Sequence, residues 1–195
     1  MTTTKGRGRF TVYDGGTMHL SLKEVKMILR GARPLVTHDD HQALARVLKG
    51  VQGKNATAHE SEGNPYFGSL SHLVMDAIEE KIDWLLQNRY LTLISRSERH
   101  VLMYTPRGWA LEVDAYTDEL IDDFDRMLKS RATHFLVSRL RYVDRESVWC
   151  LLDKIEARGD VRYIRILDAW QRMDCKAVRR RIHGVIVSLS GGVSM

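Results

Sequence analysis

The chain has 195 residues, of which 44% are hydrophobic, and its 30 Lys and Arg against 25 Asp and Glu give a formal net charge of +5 and a pI of about 9.3. That length holds one ordinary domain or two small ones with enough apolar material for a core, so no covalent or metal staple is required. Two cysteines are too few for a four-cysteine zinc site, and no stretch approaches the roughly 20 uncharged apolar residues of a membrane-spanning helix or the apolar run of a signal peptide.

The expectation is therefore a cytoplasmic protein, bound to no membrane, with Cys150 and Cys175 as reduced buried thiols. Its positive charge permits a polyanionic partner without requiring one.

Residues 1–19, opening MTTTKGRGRF, read as a flexible basic arm with nothing to bury. From Ser21, the spacing of Leu22, Val25, Ile28 and Leu29 predicts a helix to about Ala32. Ser21 and Glu24 form a capping box, and Pro34 marks the end. Ala43, Leu44, Val47 and Leu48 predict a second helix that stops near Gly50. The glycines and Asn64-Pro65 that follow predict a loop anchored by Tyr66 and Phe67.

Helical spacing returns between Ser69 and Asn88, with Val74, Ile78, Ile82, Leu85 and Leu86 on one stripe and a break near Asp76. YLTLIS (90–95) and HVLMYT (100–105) alternate apolar with polar around a four-residue connection, RSER, and predict a two-stranded hairpin. Pro106 then starts a helix, Gly108 gives the turn room, and Trp109, Leu111 and Val113 return to the core. Helix, helix, loop, helix, hairpin, helix is the order of a winged-helix domain.

From Asp114 to the end the pattern is helical throughout. ELIDDFDRMLKS, THFLVSRLRYV, ESVWCLLDKIEAR, DVRYIRILDAWQRM and CKAVRRRIHGVIVSL should pack as antiparallel helices, with a short-period solenoid as the lesser alternative. The predicted fold class is mainly α with a small β-hairpin wing, a winged helix-turn-helix over 20–113, followed by an all-α domain over 114–195.

ILRGA (28–32), LARVLKG (44–50), NPYFGSLS (64–71), IDWLLQNRYL (82–91) and VLMYTPRGWAL (101–111) together resemble the RQC domain, the winged helix that follows the motor in RecQ-family helicases. The resemblance implies binding to duplex DNA, with the wing meeting an end, fork or junction. It implies that Tyr66, Gly68, Ser69 and Ser71 offer backbone N–H groups and hydroxyls to phosphates, and that Arg96, Ser97, Arg99 and His100 at the wing tip meet the helix end. The sequence has no GxxxxGK[ST] phosphate loop, no RecQ-type zinc module and no aromatic residue at the wing tip. What the resemblance implies is thus a stand-alone binding protein, with no enzyme activity and no cofactor.

The charges bear on docking independently. The third helix carries Asp76, Glu79, Glu80 and Asp83 against Lys81, which disfavours insertion between phosphates, whereas Arg89, Arg96, Arg99 and Arg107 surround the hairpin against Glu98. A solvated hairpin blunted by charge is the alternative account of those arginines, and the resemblance favours DNA.

Arg172, Lys176, Arg179, Arg180 and Arg181 form a candidate second basic surface. They read equally as a polar helix face or as partners for the acids between Asp114 and Asp125. Trp149 and Trp170 read as core. His38-Asp39-Asp40-His41 has metal-type ligands, but an Asp-rich helix cap explains the same letters, so no metal site is predicted. A protein-interaction adaptor working through the C-terminal helices is the alternative reading, and a metal-dependent nuclease a more remote one.

Overall fold

The computed structural model describes residues 19–51, 63–96, 99–130 and 137–191, so the basic arm up to residue 18 and the wing-tip residue Ser97 lie outside the described residues. Within them the chain is mainly helical, with one two-stranded antiparallel hairpin.

Helix α1 (Leu22–Ala32) begins with the expected capping box, in which Ser21 Oγ accepts from the Glu24 N–H at 3.2 Å and Glu24 accepts from the Ser21 N–H at 3.0 Å. Helix α2 (His41–Lys49) is capped by Asp40, which accepts from the Ala43 N–H at 2.8 Å, and ends at Gly50 in the left-handed region with φ 81°. Gly50 meets a second constraint, since a Cβ there would lie 2.9 Å from Gly68 Cα. The 63–74 segment folds against this end of α2, with the Gly68 and Leu70 N–H groups donating to the Val47 and Leu48 carbonyls at 2.8 Å each.

Helix α3 (Met75–Gln87) is shorter than the apolar stripe suggested, because residues 69–73 form turns and Val74, its N-cap, is 69% exposed. Strands β1 (Leu91–Arg96) and β2 (Arg99–Tyr104) pair with Leu91 opposite Tyr104 and Arg96 opposite Arg99. The strands thus absorb the outer two residues of the expected RSER connection, because cross-strand pairing continues through Arg96 and Arg99.

Beside β2, the Thr37 N–H donates to the Leu102 carbonyl at 3.0 Å and the Leu102 N–H to the Asp39 carbonyl at 2.8 Å. The segment between α1 and α2 therefore lies along the outer edge of the hairpin. Helix α4 (Pro106–Lys129) starts with Pro106 at its first position and Thr105 Oγ1 accepting from the Gly108 N–H at 3.1 Å. Gly108 is required by close approach: a Cβ there would fall 1.8 Å from the Tyr90 carbonyl oxygen.

Helix α4 runs without interruption through residues 113 and 114, where the pattern had suggested a division. Two apolar clusters flank it. One gathers α1, α2, α3 and the hairpin around Ile28, Leu44, Ile82 and Leu102. The other contains Leu120, Ile121 and Phe124 of α4 with α5 (Arg145–Arg158), α6 (Ile164–Gln171) and α7 (Lys176–Gly191). Trp170 is fully buried there and Trp149 packs against its margin.

The expected helix over 133–143 is instead a 3-10 turn at Ser138–Tyr142 among its described residues. Among the described residues of this stretch Val137 and Leu140 are buried and Val143 packs against the core. The thiols also depart from expectation: both are free, but Cys150 is half-buried and Cys175 is exposed at the α6–α7 turn.

A buried ion network joins the two clusters. Glu112, with no solvent exposure, pairs with Arg30 and Arg33 at 2.6 Å each, Arg30 pairs with Glu119 at 2.8 Å, and Arg33 pairs with Asp144 at 2.5 Å. Both guanidinium groups lie 4.3 Å from the centroid of the Tyr116 ring. Burial opposes the charge on Arg30, but Glu119 and Glu112 outweigh it and hold the guanidinium above its ordinary value.

Candidate nucleic-acid interface

The hairpin gathers the expected basic residues into two groups. Arg96, Arg99 and His100 are exposed at its far end, and no ion pair involves Arg96 or Arg99 among the described residues. At the root, Arg89 is exposed with φ 57°, a turn that reverses the chain from α3 into β1. Arg107 serves the protein itself: it donates to the Asn88 carbonyl at 3.1 Å and to the Tyr90 hydroxyl at 2.6 Å, and stacks 4.1 Å from the Tyr90 ring centroid. It clips α4 to the start of the hairpin.

The loop before α3 is less open than its composition suggests. The Tyr66 N–H donates to Asn64 Oδ1 at 3.0 Å, Gly68 to the Val47 carbonyl at 2.8 Å, Ser69 to the Tyr66 carbonyl at 3.1 Å and Ser71 to the Gly68 carbonyl at 3.0 Å. These four N–H groups are thus engaged within the protein. The Tyr66 hydroxyl donates to Glu119, and burial together with that carboxylate pushes its ionisation up to about 12. Ser69 Oγ is buried with no hydrogen-bond partner among the described residues, and Ser71 is exposed. A phosphate at this loop would have the Ser71 hydroxyl to meet it. Tyr66 anchors the segment as expected, whereas Phe67 is 37% exposed.

The outer face of α3 keeps its acidic character. Asp76, Glu80 and Asp83 are exposed, and the one lysine of the helix, Lys81, is turned to Glu24 at 2.8 Å. That lysine, with the Ser21 cap, holds the Glu24 carboxyl down at about 2. Between the N-terminus of α2 and the hairpin lies a groove of about 600 Å³ lined in part by His38, His41, Arg46, Arg99 and His100. Asp40 is engaged there as the helix cap, and among the described residues no three His, Cys, Asp or Glu side chains are grouped to hold a metal ion.

The acids of α4 are largely neutralised from within. Asp114 and Asp118 meet Lys26 and Lys154, Asp123 meets Arg126 and Arg139, and Asp125 meets Arg158. The basic residues 172–181 are not their partners. Arg181 pairs instead with Asp153 at 2.7 Å and Glu156 at 2.6 Å, while Arg172, Lys176, Arg179 and Arg180 stand exposed.

Sequence reasoning missed the 37–39 segment on β2, for which a single positive-φ residue, Thr37, leaves no compositional signal. It also passed over Arg141, Tyr142 and Arg145, where an aromatic residue interleaved with arginines was the available sign. Among the described residues no helix is long and apolar enough to cross a membrane. The chain matches no protein-family model, no curated protein and no solved structure.

Proposed function

We propose that this chain is a DNA-binding protein whose first part is an RQC-like winged helix. It would hold duplex DNA at ends, forks or junctions through phosphate contacts made by the hairpin. The element order supports the winged-helix reading, as do the two backbone hydrogen bonds that tie the 37–39 segment to Leu102 of β2 and dock the hairpin on the helices. The proposed protein is not an enzyme; its affinity comes from counterion release and its sequence preference is weak.

The observation that carries the reading is the separation of charge. Arg96 and Arg99 are exposed at the hairpin end with no ion pair among the described residues, while α3, which a sequence-reading winged helix would lay in the major groove, presents Asp76, Glu80 and Asp83 outward. Carboxylates beside phosphates repel, so the hairpin is the electropositive face turned to DNA.

Fluorescence anisotropy with blunt duplex, forked duplex and single strand of one sequence, at two salt concentrations, tests this. If about four phosphates are neutralised, log K should fall against log salt with a slope near −3.6. The double substitution Arg96→Ala/Arg99→Ala should reduce that slope by about 2 with circular dichroism unchanged, since both side chains are exposed. No binding to either duplex at low salt, or an unaltered slope in the folded double variant, would remove the hairpin from the function.

A further inference from the structure

In the helical half, several basic side chains already have acidic partners. Arg139 meets Asp123, Lys154 meets Asp114 and Asp118, Arg158 meets Asp125, Arg162 meets Asp160, and Arg181 meets Asp153 and Glu156. Against that background Arg141, Arg145, Arg172, Lys176, Arg179 and Arg180 are exposed and make no ion pair among the described residues. Two stretches of chain supply them, and the first, with Arg141 and Arg145, packs beside residues 173–178 of the second. A groove of about 450 Å³ has Arg141 and Arg145 on one side and Met173, Cys175 and Val178 on the other, the stretch that Arg172, Lys176 and Arg179 flank.

Helix α7 contains no acidic residue. Asp174, which also lines the groove, is engaged by the Trp170 indole N–H and the Cys175 N–H, each at 2.7 Å.

Tyr142 stands beside these arginines with 91% of its surface exposed. An aromatic ring placed in water contributes almost nothing to the core, but both of its faces are open to a stacking partner. A duplex hides the faces of its bases, so the ring suits an unstacked base of a single strand. An anionic membrane fits less well, because Val178, Ile182, Val185 and Leu189 of α7 point into the core and, among the described residues, Val187 is the one large apolar side chain that the helix exposes.

We propose that the groove between the Ser138–Tyr142 turn and the N-terminal half of α7 binds single-stranded nucleic acid. Arg145, Lys176 and Arg179 hold its phosphates, and one base stacks on Tyr142. This surface is separate from the hairpin and stands whether or not the hairpin binds duplex.

The test is anisotropy of a labelled oligo-dT strand with the full chain. Tyr142→Ala should weaken binding about tenfold and Tyr142→Phe should restore it, because stacking needs the ring and not the hydroxyl. Arg145→Ala/Lys176→Ala/Arg179→Ala should lower the salt slope by about 2, from roughly 0.7 per phosphate of a single strand. Arg96→Ala/Arg99→Ala should leave oligo-dT binding unchanged.

The proposal is overturned if the unaltered chain does not bind oligo-dT at low salt, or if the groove variants bind it as tightly as the unaltered chain. Loss of oligo-dT binding in the hairpin variant alone would also overturn it, while leaving the hairpin reading intact. Binding to phosphatidylserine vesicles that the triple variant abolishes, with no oligo-dT binding, would assign the groove to a membrane surface instead.

Discussion

Glu112 has no solvent exposure and is paired with Arg30 and Arg33, both of which lie over the Tyr116 ring. Glu112→Gln would take the shared carboxylate from buried Arg30 and half-buried Arg33, which keep Glu119 and Asp144, and the expected loss is about 3 kcal/mol in urea unfolding. At the surface the acids act through pH. Glu24 is held at about 2 against an ordinary 4.5, first by Lys81 and then by Ser21. Asp114, despite the opposing effect of burial, is held low by Lys154 and Lys26. A carboxyl depressed in the folded state contributes stability above its unfolded value and loses it as pH falls through the folded one. Thermal melts should therefore decline from about pH 4.5 towards pH 2, and Glu24→Gln should flatten that decline. The sequence displayed the Ser21–Glu24 box because its partners are three residues apart. It could not display Glu112, whose Arg30 partner lies 82 residues away.

The elements were most legible where a local rule governs them. Caps at Ser21 and Asp40, the stop at Gly50, the hairpin and the start at Pro106 all follow from short-range chemistry. The hairpin's full length depended on cross-strand pairing of Arg96 with Arg99, two residues whose side chains face water and carry no apolar alternation. Around Leu140 the described residues form one 3-10 turn, with Val137 and Leu140 buried. Gly108 was legible as a turn residue, but the reason for it is contact: the Tyr90 carbonyl occupies the space a side chain would need. Gly108→Ala should cost about 3 kcal/mol by urea unfolding, at the upper end of overpacking effects, because backbone must move and no flexible side chain can yield. A loss within experimental error would show that α4 and the Tyr90 segment slide apart freely.

At the scale of the whole chain, both apolar clusters include residues of α4, and the Arg30–Glu112–Arg33–Asp144 chain of charges crosses from one to the other. A helix that forms part of two cores cannot unfold in one while staying packed in the other. Fluorotryptophan labelling should therefore show Trp84 and Trp109 losing their native signals at the same urea concentration as Trp149 and Trp170; a staggered loss would mean two independent units. This continuity was hidden in the sequence because the turn chemistry at Thr105-Pro106 marks where the helix begins, whereas nothing marks where one core hands over to the next.

The 37–39 segment has a mechanical consequence. Both backbone groups of Leu102 are committed to it, while among the described residues no strand pairs with the far edge of β1, so the hairpin is clamped along one side only, like a blade held in a vice by its spine. A load at Arg96 and Arg99 is then delivered as torque through β2 into the joint between α1 and α2. That joint lies just beyond Arg33, the residue that links Glu112 to Asp144.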